Sequence, residues 1–355
     1  MKKFLTTSAL SLGMLTSLSF SLPTTALASH HFEGAAYLMD SRYAQVDNFI
    51  FQSERPNHTA IVMNVNYAPQ EGENGTFSPD AIYNIHLSFD KTFTKGITFN
   101  VKFDNNKYYL YKLNEPNAAP GTLGAEIGNG IIGKPSEFKD GIKSFAGIIE
   151  DPFFGNSTAL GKFRAQNQKG IYDPKVWSSV DGNVFKTRIV GSIVLDIPNS
   201  MLEKNVYAFF TTDKNENNQW KQVQYSAIPL VSHSLFFADN EIKMKHDQSR
   251  PNDDNKLISN IISSNILRNA ILAKSQDNPV AYADKTTNIF VPDVIPYKVG
   301  TQAKFSEKDI NGRSLEDDAM SAVLTLIIGK ETDQAIANTK KFTKNFPYVI
   351  KHDFK

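Results

Sequence analysis

The stretch NGRSLEDD (residues 311–318), which runs into Ala319–Ile328 and ends at Gly329, decides how the C-terminal part of this chain folds. Ser314 and Asp317 have the spacing of a capping box, in which a hydroxyl and a later acid bond the first helical turn. The apolar residues that follow recur every three or four positions, which gives a helix one wide apolar face. Gly329 stands where a left-handed residue ends a helix. We therefore predict a buried core helix whose first turn carries the carboxylates of residues 316–318, where the helix dipole favours them.

The composition is that of a folded protein. Of the 355 residues, 41% are apolar and 21% are charged, and the 25 Phe and 13 Tyr favour β-sheet. Basic residues number 38 and acidic residues 37, so net charge gives no reason to expect nucleic acid or an anionic membrane as a partner. The absence of cysteine excludes a disulfide framework, a lipoprotein and thiol chemistry.

Residues 1–28 have the pattern of a secretory signal peptide. Two lysines precede the mildly apolar Phe4–Phe20, and Ala26-Leu27-Ala28 is typical of a cleavage site. Ser and Thr interrupt the apolar run and Pro23 follows it, so we predict export to the periplasm or beyond and no transmembrane anchor. Cleavage removes Lys2 and Lys3, which leaves 36 basic residues against 37 acidic ones.

Short β-like runs separated by turn residues fill the next two hundred residues. They are Phe49–Phe51, Ala60–Val65, Ile82–Phe89, Ile97–Phe103, Lys107–Leu113, Val184–Ile197, Val206–Thr212 and Trp220–Ile228. Such spacing is typical of an antiparallel β-sandwich or a distorted barrel. The stretch Asn114–Lys143, rich in Gly, Pro and Asn, is predicted as a long loop.

Helical patterns replace the strands after about residue 239. Helical spacing covers Lys256–Lys274, and a last polar helix is predicted over Glu331–Lys344, whereas Ser275–Lys308 is irregular. We therefore predict a single domain over residues 29–355, with a β-rich part (29–238) and an α-rich part (239–355) packed on it.

Six stretches, spread in order over nearly the whole mature chain, carry a shared pattern: Ser29–Glu33, Val46–Phe51 around Asp47, Phe77–Tyr83, Phe145–Phe154 with Asp151 and Pro152, Arg250–Asp254, and Asn311–Asp318 with Gly312, Arg313 and Ser314. Together they resemble the bacterial family catalogued as domain of unknown function 4331. Two positions depart from that pattern, namely Ser232, where relatives have Asn, and Asn48, at an apolar position. The resemblance implies an exported bacterial protein with one family domain and brings no established activity.

The mature N-terminus is one candidate metal site. Cleavage after Ala28 would leave Ser29-His30-His31, whose amine, two amides and His31 imidazole form a nitrogen set that suits Cu(II) or Ni(II). The alternatives are a frayed polar start, or a His31 held by an acid such as Glu33 or Asp40.

Carboxylates near the C-terminal helix form a second candidate site. Six acids could surround a hard cation such as Ca²⁺, which takes oxygen ligands: Asp317 and Asp318, with Glu316, Asp253, Asp254 and Asp293. The alternative is that Asp317 caps its helix and Arg313 pairs with one acid.

No complete catalytic pattern accompanies these candidates. Asp151 beside Pro152 and two phenylalanines could be a carboxylate with a raised pKa, but such a pair more often opens a turn. Gly128–Gly133 satisfies the dinucleotide fingerprint and is rejected, since Pro135 follows it where a helix is needed. We expect a non-enzymatic binding protein for a metal ion, a small ligand or an envelope partner. The alternatives are a hydrolase that uses Asp151 with Asp317 and Asp318, and a structural or adhesion module.

Overall fold

Alternating side chains build two antiparallel sheets that pack face to face. The computed structural model describes residues 40–72, 74–179, 182–236 and 239–353. In this part the strands are β1 (Gln45–Gln52), β2 (His58–Val65), β3 (Ala81–Ser88), β4 (Gly96–Asp104), β5 (Lys107–Leu113), β6 (Ala125–Ile131), β7 (Ser136–Glu137), β8 (Lys143–Glu150), β9 (Ile189–Pro198), β10 (Asn205–Glu216), β11 (Gln219–Ser226), β12 (Ile295–Lys298), β13 (Lys304–Phe305) and β14 (Ile310–Asn311).

The first sheet has the order β1-β2-β9-β8-β7, and the second has the order β11-β10-β3-β4-β5-β6, with β12 also paired to β10. A small third sheet joins β13 and β14. The sheets are not closed into a barrel, which confirms the predicted sandwich. The predicted strand positions are confirmed for β1 to β5, β10 and β11 within a few residues; the ninth strand starts five residues later than predicted, at Ile189.

One buried cluster fills the space between the two sheets. Ile61 and Leu195 from the first sheet pack there against Ile85 and Phe99 from the second. The outer face of the first sheet carries a second cluster, which includes Val62 and Val194 and is covered by Leu315, Tyr348 and Val349. Both faces of the first sheet are therefore buried, and residues near the C-terminus provide one of the covers.

The helices of the described part form a third layer. They are α1 (Ser157–Gln168), α2 (Asn240–Asp247), α3 (Pro251–Leu257), α4 (Ser259–Ala273), α5 (Pro279–Phe290) and α6 (Ala319–Ile328). Their apolar faces meet in one cluster, in which Ile262 and Ile266 of α4 contact the group that contains Val323 and Ile327 of α6. The helix-rich C-terminal third is thus confirmed, and α1 adds a helix within the strand-rich part.

The core helix α6 forms as predicted except at its start. Gly329 ends it with φ of 77°. Its N-cap is Asp318, whose Oδ1 accepts a hydrogen bond from Ser321 N at 3.0 Å, so the prediction that residues 316–318 occupy the first turn was wrong. Asp317 instead accepts from Ser314 N at 2.7 Å in a turn before the helix. The Ser314–Asp317 spacing therefore closes a turn that leads into the helix.

Three other predictions of local structure were wrong. Residues 331–344 are not helical, because long-range contacts hold backbone groups of this segment, such as Gln334 O, which accepts from Asn156 Nδ2 at 2.9 Å. The predicted irregular segment 275–308 contains α5 and β12, and the helix predicted over 256–274 is broken at Ile258 between α3 and α4.

The predicted loop over residues 114–143 contains the edge strand β6. Gly128 and Gly130 hide this strand from sequence patterns, because glycine has low β-propensity. The structure requires both, since a Cβ would lie 2.6 Å from the Phe138 ring at the first and 2.3 Å from the Tyr108 ring at the second. The rejected dinucleotide motif is therefore a strand and a turn.

Candidate functional site

A large cleft lies where the β1–β2 turn, the segment 302–317 and the segment 342–348 meet. Its volume is about 980 Å³, at the upper end of the range for small-molecule sites. The sequence stretch that leads into α6 forms one wall, through Ser314, Leu315, Glu316 and Asp317.

A buried ion pair fixes this wall against the first sheet. Arg313 Nη1 donates to Asp47 Oδ1 at 2.6 Å, and both side chains are almost fully buried. The Arg313 guanidinium also lies 4.2 Å from the centre of the Phe49 ring, and its backbone exchanges two hydrogen bonds with Ile50 of β1. The alternative to a metal site was that Arg313 pairs with one acid; that acid is Asp47 of β1, 266 residues away in the sequence.

Gly312 permits the approach of the wall to β1. Its φ is 74°, and an added Cβ would lie 2.5 Å from the Ile50 carbonyl oxygen. Glycine adopts this left-handed region without steric cost. The docking of the wall therefore depends on Gly312 as well as on the ion pair.

Ser53 and Tyr348 of the cleft floor belong to a buried polar cluster. Ser53 Oγ donates to Asp196 Oδ2 at 2.8 Å and lies 2.7 Å from the Tyr348 hydroxyl. The Tyr348 hydroxyl also donates to Asp196, and Arg55 pairs with that carboxylate at 3.2 Å. Burial and the hydrogen bond to Asp196 raise the pKa of Tyr348. A serine bonded to an acid without an imidazole base is not an activated nucleophile, so this cluster holds the floor in place.

The walls of the cleft carry more negative than positive charge. Four carboxylates line it, from Glu54, Asp309, Glu316 and Asp317, against the two ammonium groups of Lys304 and Lys344. Half-buried Phe51 and Phe342 supply aromatic surface. Glu54, Asp309 and Glu316 are exposed, so their charges are available to a ligand. The arrangement suits a positively charged ligand with an apolar part.

Asp317 and Asp318 point to different sides of the turn before α6. Asp317 lines the large cleft, whereas Asp318 lines a second cleft of about 630 Å³ with Asp333 and Lys340. Asp317 accepts from Ser314 N and Phe305 N, and Asp318 accepts from Ser321 and Gln334. Burial raises the pKa of both carboxyls. Both side chains therefore hold backbone and polar groups in place.

Asp254 and Asp293 are the members of the predicted acidic cluster that meet. Asp254 Oδ2 accepts from Asp293 N at 2.7 Å, and Asp293 Oδ1 accepts from Ile228 N at 2.6 Å. His246 Nε2 lies 3.8 Å from Asp254 Oδ1 and 3.6 Å from Asp293 Oδ2. The Tyr225 hydroxyl donates to the Asp293 carbonyl at 2.6 Å and lies 2.9 Å from Asp254 Oδ2.

Burial dominates the charge state of this pair. It raises the pKa of Asp254 to about 7, and burial together with the Asp254 charge raises the pKa of Asp293 well above its usual value. Two close carboxyls in an apolar setting disfavour double ionisation. The other members of the predicted cluster, Asp253 and Glu316, are exposed.

The pair belongs to a polar layer buried on the outer face of the second sheet. His86 Nδ1 lies 2.9 Å from Thr98 Oγ1 and its Nε2 lies 2.9 Å from Thr211 Oγ1. Arg250 Nη1 lies 3.2 Å from the same Nε2. Burial and Arg250 lower the pKa of His86 well below its usual value, so His86 is a neutral, hydrogen-bonded core residue.

The remaining sequence candidates are placed as follows. Asp151 is fully buried and its Oδ1 accepts from Phe153 N at 3.0 Å, which is the turn-opening role given as the alternative. It lines neither of the two clefts that hold Asp317 and Asp318, so the three carboxylates of the hydrolase hypothesis do not share one cleft. Ser29, His30 and His31 lie outside the described residues.

Across residues 40–72, 74–179, 182–236 and 239–353, no group of three or more His, Asp or Glu side chains is arranged to hold a metal ion. In the same ranges no helix has the length and apolar character needed to cross a bilayer. No protein-family model, curated protein or solved structure matches the chain.

Proposed function

We propose that this chain is an exported, non-enzymatic binding protein that holds a positively charged small ligand in the cleft beside Arg313. The observation that carries the proposal is the excess of carboxylates over lysines on the walls of a cleft of about 980 Å³. A preorganised concave site with a few oriented polar groups is the usual form of a small-molecule site. The export part of the proposal is supported by the signal-peptide pattern of residues 1–28 and by the resemblance to domain of unknown function 4331.

The cleft favours binding over catalysis. Its most catalytic-looking group, Ser53, is bonded to Asp196 and Tyr348 and also accepts from Arg55 N at 2.9 Å. Ser53 donates its proton to Asp196, a carboxylate whose charge Arg55 balances, and no imidazole base accompanies it. The exposed carboxylates of Glu54 and Glu316 are free of ion pairs within the described residues, so a bound cation would provide their counter-charge.

Titration calorimetry with spermidine tests the proposal, with citrate as an anion and maltotriose as a neutral control. We expect spermidine to bind and the double variant Glu54→Gln/Glu316→Gln to weaken it about tenfold, since each exposed charge pair contributes up to about 1 kcal/mol. The matched control Glu203→Gln/Glu331→Gln removes two exposed carboxylates that do not line the cleft. Equal binding by both double variants would contradict the assignment of the cleft.

A metal ion at the mature N-terminus is the other form of the binding hypothesis. It is supported by the order Ser29-His30-His31 after the expected cleavage site. Adding Cu(II) to correctly processed protein should give a visible d–d band if the terminal nitrogens bind it. A protein variant with His31→Ala should lose the band, and a band that persists in that variant would refute this form of the proposal.

A further inference from the structure

A groove beside α1 is lined by positively charged side chains, whereas the large cleft carries more negative than positive charge. One wall is a single face of α1 and its C-cap, since Gln166 lies four residues after Lys162 and three before Lys169, and Ala165 lies three after Lys162. The other wall is the short turn of 3₁₀-helix at Pro174–Ser178, which brings Lys175 across from the helix. The volume between the walls is about 430 Å³.

The polar groups of this groove are predominantly donors. Lys162, Lys169 and Lys175 are exposed and make no ion pair within the described residues, whereas lysines elsewhere, such as Lys245, do. The Gln166 side-chain oxygen is already engaged, because it accepts from Asp173 N at 3.0 Å. That bond leaves the Gln166 NH₂ group for a ligand. No carboxylate lines the groove.

Asp173, which precedes the 3₁₀ turn, caps that turn. Asp173 accepts from Lys175 N at 3.0 Å as the N-cap of the 3₁₀ turn, and its side chain is not among the groups that line the groove. A helix C-terminus favours a nearby cation, which accounts for Lys169. It does not account for Lys162, in the middle of α1, or for Lys175 on the opposite wall.

From these donors we infer that the groove beside α1 binds a ligand bearing a phosphate or sulfate group, held by Lys162, Lys169, Lys175 and the Gln166 amide. Ammonium groups and amide N–H groups are the donors that bind such anions. The groove is of a size for a single phosphorylated head group or a diphosphate. This site is separate from the large cleft, with which it shares no lining residue.

Calorimetry with inorganic pyrophosphate tests the site on the whole mature protein at low salt. We expect binding that weakens as ionic strength rises. We also expect a loss of about 10- to 100-fold in the triple variant Lys162→Gln/Lys169→Gln/Lys175→Gln, since three exposed charge contacts contribute up to about 1 kcal/mol each. The matched control is Lys134→Gln/Lys139→Gln/Lys256→Gln, which removes three exposed lysines of other surfaces and should bind as the parent does.

Co-sedimentation with phosphatidylcholine vesicles, with and without phosphatidylglycerol, separates two sources of the phosphate. Binding of pyrophosphate alone identifies a free phosphate ligand, and additional binding of the phosphatidylglycerol vesicles identifies a lipid head group. Either result supports the site if the triple variant loses it while its melting temperature stays within a few degrees of the parent's. Binding of neither probe, or equal loss in the control triple variant, overturns the inference.

Discussion

Replacing Arg313 by methionine removes the cation that docks the cleft wall on β1. The Arg313 and Asp47 side chains are 2% and 0% exposed, so the variant removes a buried guanidinium from beside a buried carboxylate. Breaking a buried pair in this way costs about 3–5 kcal/mol. Loss of the contact with the Phe49 ring at 4.2 Å adds about 1 kcal/mol. We therefore expect the free energy of unfolding to fall by about 4 kcal/mol or more.

Urea unfolding followed by tryptophan fluorescence and by circular dichroism measures this loss. The double variant Asp47→Asn/Arg313→Met removes both charges, and it should recover about half of the lost stability, since replacing both charged partners is far less costly than removing one. A loss below about 1 kcal/mol for Arg313→Met would refute the reasoning, because that is the range of a solvated surface pair. No recovery in the double variant would show that packing of the arginine, and not its charge, matters.

Three further predictions concern stability. The carboxyl of Asp254, with a folded pKa of about 7, binds its proton more tightly in the folded state than in the unfolded state. Its contribution is therefore largest below about pH 4 and is lost as pH rises toward 7, by about 1 kcal/mol per pH unit. Asp254→Asn should remove this part of the pH dependence, and melting curves from pH 4 to 8 that run parallel to the parent's would contradict it. Gly312→Ala should cost about 2 kcal/mol or more, from its φ of 74° and the 2.5 Å approach to Ile50 O, whereas Gly133→Ala, with φ of 83° and open space around it, should cost only about 1 kcal/mol. Ile327→Ala in the fully buried face of α6 should lower the unfolding free energy by about 2–5 kcal/mol, as measured by urea titration, while Ile271→Ala on an exposed face of α4 should change it by less than about 1 kcal/mol.

The sequence predicted those elements whose local pattern and tertiary role agree. Strand β5 was predicted at its observed bounds, Lys107–Leu113, and Gly329 was placed correctly as a C-cap. The failures come from long-range contacts that no local pattern records. Residues 331–344 look helical, yet Gln334 is fully buried and bonds Asn156 and Asp318.

The candidate sites were predictable only in part. The preference of a hard cation for oxygen ligands grouped Asp254 with Asp293 among six acids, and the structure brings these two together. The sequence could not reveal the large cleft, whose lining comes from residues 51–56, 302–317 and 342–348. Nor could it reveal the partner of Arg313, because the register of a distant strand decides it. A signal was present in the groove beside α1, where the four- and three-residue spacings of Lys162, Gln166 and Lys169 are readable from the sequence.

The outer edge of β8 is completed by residues close to the C-terminus. Glu150 N donates to Ile350 O at 2.8 Å and His352 N donates to Ile148 O at 2.9 Å, so Ile350–His352 continue the pairing that β7 begins at Ser144. A chain shortened before residue 350 would present an unpaired apolar strand edge, which is a template for intermolecular association. During synthesis the same edge stays open until residues 350–352 have been made, so a holdase chaperone would have a target there.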